Sequence, residues 1–72
     1  MITEMEWYNV RLLVGKNYRT IKVFAKDVPE AIGSGIFQAR VVNRNASIVP
    51  VSVWKDGEPD EFLENLMHRM LD

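Results

Sequence analysis

His68 is the single histidine of the chain, and Glu61 and Glu64 precede it on what would be neighbouring turns of a helix. Imidazole and carboxylate at such spacing are the donor types a divalent ion takes. A lone imidazole on the polar side of a helix reads more simply as solvated surface, because nothing beside it would orient it as a ligand or a base. Ser34, Ser47 and Ser52 have no recognisable base. Gly15-Lys16 lacks the earlier glycine of a phosphate loop, and Gly33-Ser34-Gly35 follows no strand and lacks the third glycine of a dinucleotide fingerprint. With no cysteine there is no disulfide and no thiolate metal site. The expectation is a protein that is not an enzyme, with no catalytic residue, metal site or cofactor.

The residues that remain are suited to binding. Trp7, Arg11, Leu13, Tyr18, Lys22, Phe24 and Trp54 mix aromatic and basic side chains, and a small protein rarely leaves such a patch bare. Aromatic and arginine side chains anchor protein interfaces. The same mixture could stack single-stranded bases, although the Gly-rich aromatic strand motif of sheet-based RNA-binding domains is missing. A second set, Phe62, Leu66 and Met70, recurs every four residues near the C-terminus and offers anchors for a partner groove or for a homodimer.

The elements that must position these residues follow from periodicity. Residues 7–14 alternate Tyr8, Val10, Leu12 and Val14 against Trp7, Asn9, Arg11 and Leu13. After a turn at Gly15-Lys16-Asn17, residues 18–25 alternate Ile21, Val23 and Ala25 against Tyr18, Thr20, Lys22 and Phe24. Two such strands make a hairpin. Residues 27–43, DVPEAIGSGIFQARVVN, carry Val28, Ala31, Ile32, Gly35, Ile36, Ala39 and Val42 at helical spacing, with Asp27 as cap, Pro29 in the first turn and Glu30 completing a capping box. Gly35 within a stripe of small residues would let the helix lie close to a sheet. Gly33 has no such reason, so a second reading ends the helix at Ile32 and makes Phe37, Ala39 and Val41 a strand. On the helical reading, Phe37 and Val41 form a ridge on the outer side.

Residues 48–55 make a third strand with Val49, Val51 and Val53 on one face, and Pro50 confines it to a sheet edge. Pro59, Asp60 and Glu61 open a C-terminal amphipathic helix over residues 59–71, with Phe62, Leu63, Leu66, Met67, Met70 and Leu71 as its stripe. The predicted fold is one α+β domain, β-β-α-β-α. Its three-stranded antiparallel or mixed sheet has order 2-1-3, with one helix on one face, and residues 1–6 form a flexible N-terminus. The core would be Tyr8, Val10, Leu12, Val14, Ile21, Val23, Ala25, Ile32, Ile36, Val49, Val51 and Val53. The C-terminal helix either covers the second sheet face, its acids meeting Arg11 and Lys22, or binds another chain.

Seventy-two residues allow one core and no deep cleft. The net charge of -1 conceals a segregation: residues 7–55 carry eight basic side chains against Asp27 and Glu30, while both ends are acidic. That pattern fits an electrostatically chosen partner or an acidic tail folded over a basic body. The N-terminal residues do not read as a signal peptide and no run reaches membrane-spanning length, so a cytoplasmic protein with no membrane partner is expected.

The run from Trp7 to Val53 resembles small phage-encoded host-takeover proteins of β-β-α-β layout. It has an aromatic-led strand, a second strand ending Val23-Phe24-Ala25, then Lys26-Asp27-Val28-Pro29-Glu30-Ala31-Ile32 opening a helix, and a Val-rich final strand. The layout is similar to that of the inhibitor of bacterial RNA polymerase made by lytic coliphages, which has no counterpart of the C-terminal helix. The resemblance implies a stoichiometric regulator or inhibitor of a host protein, contacting it through Arg11, Lys16, Arg19 and Lys22.

Overall fold

The computed structural model describes residues 4–60, 63 and 65–67. Strand β1 spans Glu6–Val14, β2 Asn17–Ala25 and β3 Ile48–Lys55, with helix α1 over Val28–Val42 between the second and third strands. Both outer strands run antiparallel to β1, and the sheet order is β2-β1-β3. The central place of β1 follows from its composition. It carries the largest fully buried side chains, Val10 and Leu12, together with buried Tyr8 and Val14. The hairpin turn is two residues long, Val14 pairing with Asn17, and Gly15 supplies the positive φ of 62° that such a turn demands.

Helix α1 begins where its cap chemistry places it. Asp27 is extended and its carboxylate accepts from the Glu30 amide at 2.9 Å. Glu30 returns a bond to the amide of Lys26 at 3.4 Å, one residue ahead of the position a capping box would use. At the other end both the backbone N–H and the side-chain amide of Asn43 donate to the Ala39 carbonyl, at 2.9 and 3.1 Å, which closes the last turn. Ala31, Gly35 and Ala39 face the sheet and are buried. An ideal Cβ on Gly35 would lie 3.0 Å from Cγ1 of Val10, so the glycine is what allows the helix its close approach.

The structure differs from the sequence expectations at several points. The strand reading of residues 33–42 is overturned, because the helix runs unbroken through Gly33 to Val42, and Gly33 simply faces open space. Val49 leaves the core. Arg11 pairs with Ser52 and Leu12 with Pro50, so Val51 is an extra residue in β3, and beyond this bulge the alternation inverts. Val49 therefore stands opposite Leu13 on the outer face, 49% exposed, while Ile48 packs against the core cluster in its place. Val51 and Ile32 are only half-buried, and the innermost helix positions are the small Ala31 and Ala39. The expected helix over 59–71 is only partly described. Leu63 and residues 65–67 have helical backbone, and the rest, Phe62 and Met70 included, lies outside the described residues.

Candidate functional site

Alternation along the strands gives the sheet a second face, turned away from α1. Trp7 and Phe24 are cross-strand partners on it, their ring centroids 5.0 Å apart and tilted by 51°. Such a pair gains from edge-to-face geometry beyond the area it buries. Both rings nevertheless remain about half exposed, 50% and 48%. With Met5, Asp56 and Glu58 they line a shallow recess of about 350 Å³ at the end of the sheet. Tyr18 and Val49 extend the exposed apolar surface toward the opposite end of the same face.

The cations of this face are already engaged. The Arg11 guanidinium lies 4.9 Å above the Trp54 ring and donates through both terminal nitrogens to the Asp60 carboxylate, at 3.1 and 2.6 Å. Asp60 also accepts from the Leu63 amide at 3.4 Å, as a helix cap would. Both side chains are largely withdrawn from solvent, 10% and 15% exposed, so this fork-to-fork pair is the strong kind of charge-assisted contact. Lys22 sits 5.5 Å over the Trp7 ring and pairs with Asp56 at 3.0 Å. Asp56 accepts from Asn9 as well, and the Lys22 and Asn9 hydrogen bonds hold its carboxyl below the usual carboxylate range. Nearby, Glu6 accepts from Lys55 at 2.9 Å and so raises the pKa of that ammonium. These last two pairs are exposed and contribute little stability.

The ten residues singled out from sequence fall into separate groups. Trp7, Arg11, Lys22, Phe24 and Trp54 come together on the outer face. Lys16 lies in the hairpin turn, and Arg19 projects on the helix side of β2, opposite Leu12. Leu66 is 41% exposed, beside exposed Leu63 and Met67. Phe62 and Met70 lie outside the described residues. The sequence places Asp60 at a helix start and expects acids of the C-terminal helix to meet Arg11 and Lys22, but it does not assign Asp60 to Arg11 or point to Asp56, ahead of that helix, for Lys22. It also does not reveal a second recess, between β2 and the C-terminal half of α1. The outer side of α1 carries Phe37 and Val41, 71% and 59% exposed, as the helical reading predicts.

Among the described residues no group of histidine and carboxylate side chains could hold a metal ion, and no helix is long and apolar enough to cross a membrane. No protein-family model, curated protein or solved structure matches the chain.

Proposed function

We propose that the chain is a non-enzymatic protein-interaction module that binds a protein partner through the Trp7–Phe24 end of its outer sheet face. One observation carries the reading. Two touching aromatic rings stay half exposed between two ion pairs, Lys22–Asp56 and Lys55–Glu6, with the Glu58 carboxylate also at the rim. Aromatic anchors ringed by satisfied polar groups are how interface energy is concentrated. The same ion pairs weigh against the single-stranded nucleic-acid alternative. Phosphate binding draws on cations that can exchange counterions for the backbone, and Arg11 and Lys22 are committed to Asp60 and Asp56. The β-β-α-β layout, which resembles small phage-encoded host-takeover proteins, supports a stoichiometric regulator of the phage or accessory type.

The test is quantitative capture from a cell extract with the full chain and with the Trp7→Ala/Phe24→Ala variant, after matching far-ultraviolet spectra confirm that both are folded. The expected result is an equimolar protein partner retained by the parent and lost by the variant. Equal retention by both, or recovery of nucleic acid in its place, overturns the reading.

A further inference from the structure

The order β2-β1-β3 leaves each outer strand one edge that no described strand covers, and the two edges are built differently. β3 carries Pro50 and the bulge at Val51, both of which blunt an edge against further pairing. β2 runs in unbroken register over nine residues with neither device. Because the hairpin loop has two residues, Val14 and Asn17 form the closing hydrogen-bonded pair. The alternation of an antiparallel ladder then turns the amide and carbonyl groups of Thr20 and of Lys22 outward. That is a template for one more strand.

A groove lies directly beside this template. Between β2 and α1 runs a recess of about 390 Å³, with Val14, Ile21, Ala39 and Val42 as its apolar lining and Arg19 and Asn43 among its polar residues. Val42 is 81% exposed there. A strand added to β2 would turn alternate side chains toward the helix side, over this lining.

The surrounding charge has one sign. Lys16 is in the turn, Arg19 on the adjoining part of β2, Arg40 in the last turn of α1 and Arg44 just beyond it. The Gly15 amide donates to the Ser47 carbonyl at 2.8 Å, which ties the turn to the 44–47 connection. No Asp or Glu occurs between Glu6 and Asp27 or between Glu30 and Asp56, so no acid lies on β2, on β3, on β1 beyond Glu6 or on α1 beyond Glu30. Among the described residues, ion pairs engage Arg11, Lys22, Lys26 and Lys55 and none engages these four cations.

We infer that the β2 edge and its groove bind an extended acidic segment of a partner protein, which adds as a fourth strand with an apolar side chain in the recess. Backbone pairing supplies part of the affinity and the groove selects the side chain. Asp or Glu on either side of the apolar residue meet Lys16, Arg19, Arg40 and Arg44. A second copy of this chain fits poorly, because β2 holds Arg19 and Lys22 and no acid, and self-pairing would set like charges side by side. This surface adjoins the Trp7–Phe24 face at Lys22 but uses the backbone of β2 and the helix side of the sheet in place of the aromatic rings, so either can fail alone.

The experiment uses short capped peptides with a Val-Ile-Val centre, flanked by Asp and Glu or by Lys, and an acidic version N-methylated at alternate amides. Binding to the full chain is read by fluorescence polarisation. The acidic peptide is expected to bind, more weakly at high salt. The Lys-flanked and N-methylated versions should lose about tenfold or more. Thr20→Pro removes only an outward amide and should abolish binding while the chain stays folded, and Arg19→Glu should weaken it about tenfold. Should Thr20→Pro not fold, protection of the Thr20 and Lys22 amides from hydrogen exchange on adding the acidic peptide decides. Equal binding of acidic and Lys-flanked peptides, or no protection of those amides, overturns the inference. So does a dimer in light scattering that Arg19→Glu leaves intact and the peptide cannot dissociate, or competition by oligothymidylate in place of peptide.

Discussion

Substituting Gly33 and Gly35 separately by alanine isolates the contact on which the α1–sheet packing rests. Both residues lie inside α1, and each replacement gains about 1 kcal/mol of intrinsic helix propensity. Their surroundings differ. A Cβ at Gly33 meets nothing within 4 Å, so Gly33→Ala should stabilise by roughly that amount. At Gly35 the new methyl would sit 3.0 Å from Cγ1, 3.1 Å from Cβ and 3.4 Å from Cγ2 of Val10. Val10 is fully buried on the central strand, so either it gives by a few tenths of an ångström or the helix lifts from the sheet, at an overpacking cost of about 1 to 3 kcal/mol. Gly35→Ala should therefore range from neutral to about 2 kcal/mol destabilising, leaving the two variants about 1 to 3 kcal/mol apart. Urea unfolding followed by circular dichroism measures this. With a slope near 1 kcal/mol per molar for so small a domain, the midpoints should differ by about 1 M or more. A Gly35→Ala variant as stable as Gly33→Ala would refute the close approach of α1 to β1.

Three further outcomes follow from particular contacts. Asp60→Asn removes the charge that the Asp60 carboxylate sets against Arg11 and should destabilise by about 1 to 2 kcal/mol, whereas Arg11→Met, which keeps the contact with Trp54, should cost less; urea midpoints compare them. Asp56 has a folded pKa below its ordinary value of 3.8, so its pairing adds stability that is present above about pH 4 and is lost as pH falls through the folded pKa. NMR titration should find that carboxyl depressed, and Lys22→Gln should return it toward the ordinary value. Val49→Lys, on the outer face, should change stability by less than about 0.5 kcal/mol, while Val53→Lys, against the core cluster, should cost more than about 2 kcal/mol in the same unfolding assay.

The two hairpin strands were legible because Tyr8, Val10, Leu12 and Val14 alternate cleanly against Trp7, Asn9, Arg11 and Leu13, and a buried face permits only one register. Helix α1 was legible from Asp27 and Glu30 at its start, and the small stripe around Gly35 is the pattern of a close approach to a sheet. The third strand departs in detail from its own periodicity. Val49, Val51 and Val53 share a period of two, and only the pairing partners Arg11 and Leu12 reveal that Val51 is inserted. A bulge is a property of two strands and leaves no mark in the periodicity of one. The outer face was found by the same alternation, but not the means by which its charges are used. The pairing of Arg11 with Asp60 joins residues 49 apart, and charge segregation indicates that acid will meet base without saying which. The groove beside β2 depends on the tilt and reach of α1, so no residue pattern in the chain foretold it.

The most direct measurement on the proposed role is tryptophan emission of the full chain during titration with the purified partner recovered by capture, repeated with Trp7→Phe. The account predicts a blue shift that saturates at one partner per chain and is largely absent in the variant, because Trp7 passes from half-exposed to buried. An unchanged spectrum at saturation, or quenching by a single-stranded oligonucleotide that weakens with salt, would contradict it.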